Sequence, residues 1–210
     1  MKKLLYVLFI ANIATSFVAQ AANPPPDNDL VHQLQKGGYV LYLRQCLSNQ
    51  DQADTDPLHI ENVAAQRQLS DEGHKQAIAL GEAFRELDIP FGNIVSSLFN
   101  RSKETASLLG VGTPTFSLDI SEGGLVVSPN ENKRRAEVLR RLLSTPPGDG
   151  VNNLIVGHRA NLEEAAGKDF GDVKEGETVV FQPTPDGKFR LIARVPATTW
   201  TKWRNDRDNQ

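Results

Sequence analysis

Two short apolar runs, each followed by a polar side chain, constrain the fold more than any other feature of the sequence. Residues 39–43 are continuously apolar and rich in aromatic side chains, and Arg44 follows them directly. Residues 154–158 form a second apolar run that ends at His158. Uninterrupted apolar patterns of this length are typical of strands that are buried on both faces of a sheet. The chain is therefore expected to fold around a central, covered sheet.

Helical patterns separate these strands. Ser70 is expected to cap a helix, because Asp71 and Glu72 follow it in the first turn, where the helix dipole favours acids. Pro90 prevents the continuation of this helix. The helix has a stripe of residues at helical spacing that should be buried: Ala77, Leu80, Gly81, Phe84 and Leu87. Three further helices, over 29–36, 101–109 and 131–143, and one further strand, over 93–97, are predicted.

The last part of the domain has a different pattern. Residues 178–182 and 189–195 flank a Pro- and Gly-containing turn, which indicates a β-hairpin. Strands that alternate with helices and are followed by a C-terminal antiparallel hairpin predict an α/β fold. We expect a three-layer sandwich over 38–198, with a mostly parallel central sheet, helices on both faces and a C-terminal hairpin. Residues 22–37 are interpreted as a leader with a short helix, and 199–210 as a polar tail.

The N-terminal residues 1–21 have the pattern of a signal peptide. Lys2 and Lys3 precede an apolar stretch, and Ala19-Gln20-Ala21 offers the small residues that a signal peptidase accepts. The apolar stretch is short for a membrane span and is soon followed by Pro24-Pro25-Pro26. The protein is therefore expected to be periplasmic or secreted, with no stable membrane anchor after cleavage. An uncleaved N-terminal anchor is the alternative.

Charge and cysteine content exclude several classes of function. The chain has 23 basic and 26 acidic residues and a net charge of −3, which argues against a general nucleic-acid binder. Its single cysteine, Cys46, excludes an internal disulfide. The four histidines show no spacing typical of zinc ligands. No metal or other cofactor is expected.

Polar residues at the strand ends give the first indication of function. Arg44, Ser97 and His158 all lie at or just beyond the carboxyl ends of predicted strands, where ligands of α/β sheets bind. The segments that contain them are 43–45, 96–106 and 156–162, and the helix start at 69–77 lies between the first two. In this order the segments resemble the histidine phosphatase superfamily, which includes the phosphoglycerate mutases and small acid phosphatases. The resemblance covers most of residues 38–195.

This resemblance implies a role for each residue. Arg44 and Arg101 would grip the oxygens of a phosphate group, each with a bidentate guanidinium. His158 would complete a cationic pocket, and the fixed charges would stabilise a phosphoryl group during transfer. A phosphorylated small molecule or inorganic phosphate is the implied partner. In the family the nucleophile is a histidine directly after the first arginine, and it becomes phosphorylated.

The sequence departs from the family at that position, where Gln45 stands. The amide nitrogen of glutamine has its lone pair delocalised into the carbonyl and does not attack phosphorus, although the side chain still forms hydrogen bonds. The sequence does not distinguish a natural residue from an engineered one. Cys46 is a nucleophile in principle, but neighbouring residues of a strand point to opposite faces, so we interpret it as a buried small hydrophobe.

The remaining charged residues receive ordinary interpretations. In much of the family a carboxylic acid between the second arginine and the late histidine donates the proton. Asp119 and Glu122 occupy that interval, and Glu163 follows His158 by five residues. Each is interpreted as an ordinary solvated acid, and none is assigned as the donor. His59 and His74 are expected at the surface. The loop from Ser48 to Gln66 is expected to overhang the pocket, with solvated acids. The basic residues of the predicted helix 131–143 should form a solvated surface around Val138 and Leu142.

Three hypotheses follow from the sequence. The first is a phosphate-ester binding protein that is catalytically impaired or inactive because of Gln45. The second is a working exported phosphomonoester hydrolase that uses a substitute nucleophile or directly activated water. The third is a structural or interaction module that inherited the fold, which three retained polar side chains at the pocket (Arg44, Arg101 and His158) disfavour.

Overall fold

The structure is a computed structural model that describes residues 27–123 and 127–208. The predicted signal peptide and residues 22–26 of the predicted leader lie outside this range. The helices and strands follow one another as α1 Asp27–Gln35, β1 Val40–Arg44, α2 Asp71–Glu86, β2 Phe91–Ser97, α3 Asn100–Leu109, β3 Thr115–Ser117, α4 Pro129–Ser144, β4 Asn152–Gly157, α5 Arg159–Ala166, β5 Thr178–Pro183, β6 Phe189–Val195 and α6 Ala197–Asp208. Short 3-10 turns lie at Val63–Ala65, Leu118–Ile120 and Lys168–Phe170.

The strands form one sheet in the order β3-β2-β4-β1-β5-β6. Strands β3, β2, β4 and β1 are parallel to one another, whereas β5 is antiparallel to both β1 and β6. In this register Arg44 lies opposite Gly157, and Ser96 lies opposite Val156. The carboxyl ends of β1, β2 and β4 therefore meet at one edge, and the predicted fold class is confirmed.

Hydrophobic cores cover both faces of the sheet because the side chains of β1 alternate between them. Leu41 and Leu43 belong to one core, together with residues of α1, α2, α3 and α6. Val40 and Tyr42 belong to the other core, together with residues of α4 and α5. All four of these side chains are fully buried. The predicted three-layer arrangement follows directly from this alternation.

Helix α2 forms as the sequence predicts. The Ser70 side chain accepts a hydrogen bond from the Gly73 amide at 3.0 Å and so caps the helix. The predicted stripe is buried along its whole length. Gly81 lies in that stripe where α2 meets α3, and a Cβ there would stand 1.9 Å from the Leu109 carbonyl oxygen. Glycine is therefore required for the two helices to approach closely.

Helix α4 buries a different face from the predicted one. Val138 and Leu142 are only partly buried, and the fully buried apolar residues are Ala136, Leu139 and Leu143. Most of its basic residues are exposed or half-buried, but Arg135 is buried, with Nη1 donating to the Ser121 carbonyl at 3.1 Å. Neither β3 nor α5 was predicted, because β3 has three residues and α5 begins in a polar segment.

Most of the segment 199–210, which was expected to be a polar tail, is part of helix α6. Trp200 is fully buried, its ring lies 4.9 Å from that of Phe84, and its indole N–H donates to Thr178 Oγ1 at 3.2 Å. The helix contacts α2 and extends the core on that face. Among the described residues, the helices are all too short or too polar to cross a bilayer.

Candidate functional site

Three of the four predicted site residues line one hollow at the carboxyl edge of the sheet. Arg44 ends β1, Gln45 follows it, and His158 lies between β4 and α5. The hollow has a volume of about 340 Å³. Its full lining is Arg44, Gln45, Gln50, Arg67, Glu122, His158, Arg159, Gly171, Asp172, Val173 and Lys174. Gln50 comes from the loop between β1 and α2, so that loop reaches the hollow as expected.

Arg44 is held against the loop that follows α5. Its Nη1 donates to the Val173 carbonyl at 2.6 Å, and its Nη2 lies 3.6 Å from the carboxylate of Glu175. Its Nε is buried and has no partner among the described residues. Burial lowers the pKa of Arg44, while Glu175 opposes that shift. The group remains a cation that faces the hollow with one buried donor still available.

Gln45 is 1% exposed and is held by hydrogen bonds of both its backbone and its side chain. Its amide N–H donates to the Gly157 carbonyl at 3.0 Å, and its side-chain Nε2 donates to Glu175 Oε1 at 3.3 Å. Glu175 also accepts a hydrogen bond from Ser48 Oγ at 2.6 Å, so this carboxylate is itself anchored. The Oε1 atom of Gln45 is buried without a partner in the described chain. The amide is oriented, but it offers no nucleophilic atom.

Arg101 is fully buried behind the hollow and does not line it. Its Nη1 donates to Asp54 Oδ1 at 2.9 Å, and its Nη2 donates to Glu122 Oε1 at 2.7 Å. The guanidinium also lies 4.4 Å from the centre of the Phe99 ring. Both terminal nitrogens, which were expected to grip a phosphate, are therefore occupied by carboxylates. The prediction that Asp54 is a solvated loop acid was wrong, because Asp54 pairs with a buried cation.

His158 is buried and fixed by hydroxyl groups. Its Nε2 lies 2.7 Å from Ser97 Oγ, and its carbonyl accepts a hydrogen bond from Tyr42 Oη at 2.8 Å. Its Nδ1 lies 3.6 Å from Glu122 Oε1. Burial, followed by the charge of Arg101, holds the pKa of His158 well below its ordinary value of 6.5. His158 is therefore neutral near pH 7, which corrects the expectation of a third cation in the pocket.

Of the three acids considered as proton donors, Glu122 alone lines the hollow. It contacts both Arg101 and His158, so its interpretation as an ordinary solvated acid was wrong. Asp119 instead pairs with Arg134 on the surface at 2.7 Å. Glu122 and Asp119 both lie between Arg101 and His158 in the sequence, so position along the chain alone does not tell which of them reaches the hollow.

Other candidate nucleophiles are hidden. Cys46 belongs to the apolar core, and burial raises the pKa of its thiol to about 12, as expected for a buried small hydrophobe. Ser97 is fully buried between His158 and the Ser121 hydroxyl. His59 and His74 both lie away from the hollow, with side chains 66% and 41% exposed. Neither serine nor cysteine is found in the described lining of the hollow.

Three basic residues at the hollow were not predicted from the sequence. Arg159 directly follows His158, and its Nη1 donates to the Gly171 carbonyl at 2.9 Å. Arg67 comes from the segment before α2, and Lys174 comes from the loop before β5. Arg159 could have been predicted at the hollow, because it directly follows His158 in the sequence. Arg67 and Lys174 stand in polar stretches that are brought to the hollow only by tertiary folding.

Unpaired buried atoms concentrate at this site. Among the described residues, six buried side-chain nitrogen or oxygen atoms have no hydrogen-bond partner within the protein, and four of them belong to the site. These four are Arg44 Nε, Gln45 Oε1, Arg101 Nε and His158 Nδ1. An unpaired buried polar atom costs about 1–3 kcal/mol. Three of the four belong to side chains that line the hollow, where a polar ligand would be the missing partner.

Comparison with known proteins gives a family match over part of the chain. The family model described as the histidine phosphatase superfamily (branch 1) matches residues 63–123. A comparison with curated protein sequences found no match. The family match confirms the resemblance over residues 63–123, and the solved structures below share the fold.

The solved structures that resemble the chain include three phosphatases. Phosphoserine phosphatase from Entamoeba histolytica, in complex with 3-phosphoglyceric acid, is 14% identical, with a TM-score of 0.55 over 77% of this chain and 98% of that chain. A mycobacterial glucosyl-3-phosphoglycerate phosphatase with bound VO3 is also 14% identical, with a TM-score of 0.55 over 76% and 100%. The protein histidine phosphatase SixA with tungstate is 12% identical, with a TM-score of 0.51 over 76% and 97%. At these identities the likeness shows the fold.

Proposed function

We propose that this chain, which has the fold of the histidine phosphatase superfamily, is an exported protein that binds phosphate esters or inorganic phosphate. In this proposal the ligand occupies the hollow at the ends of β1 and β4. The protein is catalytically impaired or inactive because Gln45 stands where the family has its nucleophilic histidine.

The concentration of unpaired buried atoms at the site carries the proposal of binding. Arg44 lines the hollow, and its Nε is a donor of a permanently charged group that the described protein leaves unsatisfied. Hydrogen bonds from a charged donor to a phosphate oxygen are about twice as strong as neutral ones. The phosphoserine phosphatase from Entamoeba histolytica is described in complex with 3-phosphoglyceric acid, and the mycobacterial phosphatase in complex with VO3. A phosphate group is therefore the ligand that best fits this chemistry.

The chemistry of Gln45 carries the proposal of impaired catalysis. An amide forms no covalent bond with phosphorus, and removal of the nucleophile from a covalent enzyme costs up to ~10⁶-fold in turnover. Cys46 and Ser97 are both buried away from the hollow, so neither replaces the missing imidazole. The pocket keeps its shape and polarity at this position but lacks the reactive atom.

A phosphomonoester hydrolase that activates water directly is the second candidate. The observation in its favour is the contact of Glu122 with His158, where Oε1 lies 3.6 Å from Nδ1. A carboxylate beside a neutral imidazole is suited to accept a proton from water. Such an enzyme would depend on Glu122 and would form no phosphohistidine.

Export is proposed from the sequence pattern of residues 1–21 alone. The test is expression in a bacterium followed by osmotic shock and N-terminal sequencing. Release into the periplasmic fraction with a new N-terminus after Ala21 supports export. Retention of Met1 in the cytoplasmic fraction contradicts it.

Calorimetric titration and melting curves of the purified protein with orthophosphate test the binding. The melting temperature should rise with phosphate concentration, as it does for any ligand that binds the folded state. Arg44→Gln should remove this response, while Arg141→Gln on the exposed surface of α4 should keep it. A protein that folds but shows no response to phosphate contradicts the proposal.

Hydrolysis of p-nitrophenyl phosphate by the same samples separates the two candidates. A binding protein gives the rate of the buffer blank. Turnover that Glu122→Gln abolishes supports the water-activating enzyme instead.

A further inference from the structure

The carboxylates at and beside the hollow are already compensated by cations. Glu122 pairs with the buried Arg101 at 2.7 Å. Asp172 pairs with Arg194 at 2.8 Å. These are the two acids in the described lining of the hollow, so neither leaves a free negative charge there.

Three cations that line the hollow, Arg67, Arg159 and Lys174, are not paired with carboxylates in this way. The side chains of Arg67 and Lys174 have no hydrogen bond or ion pair with any of residues 27–123 and 127–208. Arg159 donates to the backbone carbonyl of Gly171, a neutral acceptor. Both Arg67 and Arg159 lie near enough to Arg44 to lower its pKa. Lys174 lies near enough to Asp172 to lower the pKa of that carboxyl group, but Asp172 is already paired with Arg194. Three positive charges therefore face the hollow without an ion pair of their own in the described chain.

We infer that Arg67, Arg159 and Lys174 form a second anion subsite beside the phosphate position. The ligand would then be a phosphate ester that carries a second anionic group, either a carboxylate or another phosphate. This inference rests on the proposed function, because it assumes that Arg44 and its neighbours take the first phosphate. A single orthophosphate would leave the three outer cations unneutralised.

The size of the hollow agrees with a small dianionic or polyanionic molecule. Its volume of about 340 Å³ lies near the lower end of the ~300–1,000 Å³ usual for small-molecule sites. The three cations come from separate parts of the chain: the segment before α2, the start of α5 and the loop before β5. Cations that three segments bring to one hollow favour a compact ligand over an extended polymer.

Two matched pairs of ligands test this inference by calorimetric titration of the purified protein. Phosphoglycolate and ethyl phosphate differ by a carboxylate in place of a methyl group. Glucose 1,6-bisphosphate and glucose 1-phosphate differ by one phosphate and span a longer distance. In at least one pair the ligand with two anionic groups should bind about tenfold tighter or more, which corresponds to ~1.4 kcal/mol. The preference should weaken as salt rises, because the outer cations are partly exposed.

Variants identify the residues responsible. Lys174→Gln and Arg67→Gln should each lower the affinity ratio within the preferred pair toward one. Lys168→Gln, an exposed lysine outside the lining, should leave that ratio unchanged. If the ratio is one in both pairs while ethyl phosphate or glucose 1-phosphate still binds, the second subsite is refuted and the proposed function stands. If none of the four ligands binds, the proposed function itself fails.

Discussion

The Nη1 atom of Arg101 lies 2.9 Å from Oδ1 of Asp54, a residue of the long loop between β1 and α2. Arg101 is fully buried, whereas the Asp54 side chain is 25% exposed. The same oxygen of Asp54 accepts a hydrogen bond from the Arg67 amide at 2.9 Å. One carboxylate thus connects the loop, the buried arginine and the segment that supplies an outer cation. Its negative charge also lowers the positive potential that Arg101 contributes to the hollow.

This effect of charge gives the first prediction. Asp54→Asn keeps an oxygen for the Arg67 amide but removes the negative charge beside Arg101. The affinity for orthophosphate should rise by about three- to tenfold, the order expected for a charge partly screened near a protein surface. Calorimetric titration measures it. Asp51→Asn, in an exposed part of the same loop, is the matched control and should change little. Weaker binding by Asp54→Asn would show that Asp54 supports ligand binding rather than opposing it.

The second prediction concerns pH. The pKa of His158 is held well below 6.5 in the folded protein, so the unfolded chain takes up the proton first as pH falls. The free energy of unfolding should therefore decrease below pH 6.5, by up to about 1.4 kcal/mol per pH unit from this one group.

Urea unfolding curves between pH 8 and pH 5 measure this dependence. His158→Gln removes the titrating group, and its curve should be flatter over this interval than that of the unchanged protein, whatever its absolute stability. His59 stays in both proteins, so its contribution is the same in each. Parallel curves for the two proteins would contradict a depressed pKa.

The third prediction is that the Cys46 thiol is unreactive in the folded protein. It is fully buried, and burial raises its pKa to about 12, so almost no thiolate is present at pH 8. Iodoacetamide should modify it only in denaturant, as read by the mass of the intact protein. Rapid modification of the native protein would show that the thiol is accessible and would make Cys46 a candidate nucleophile again.

The fourth prediction tests the C-terminal helix. Trp200 is fully buried against Phe84, so Trp200→Ala should lower the free energy of unfolding by about 3–5 kcal/mol. Lys202→Ala lies on the exposed side of α6, and a change below about 0.5 kcal/mol is expected there. Denaturant unfolding compares both with the unchanged protein. A small effect of Trp200→Ala would mean that α6 is a tail after all.

Much of the fold could be predicted because local signals agreed with the tertiary structure. The apolar run of β1 and the capped stripe of α2 are patterns that burial itself imposes. Helix α6 was missed because its two core residues, Trp200 and Trp203, stand among ten mostly polar neighbours. Strand β3 was missed because a three-residue strand has no detectable period.

The site was predictable only in part. The position of Arg44, Gln45 and His158 at the ends of predicted strands indicated that they lie together, because parallel strands bring their carboxyl ends to one edge of the sheet. The sequence did not predict that Arg101 is closed off by Asp54 and Glu122, since an ion pair between distant residues leaves no local pattern. The neutral state of His158 also depends on burial, which a motif does not report.

The change Gln45→His tests the central claim most directly. Glu175 already accepts a hydrogen bond from the side chain at this position, and the same carboxylate would orient an imidazole N–H. We predict that the Gln45→His variant becomes labelled by a phosphate ester as an acid-labile phosphohistidine and hydrolyses p-nitrophenyl phosphate, while the unchanged protein does neither. A correctly folded Gln45→His variant that binds phosphate but forms no phosphohistidine would contradict the claim that this single residue separates the pocket from a working phosphatase.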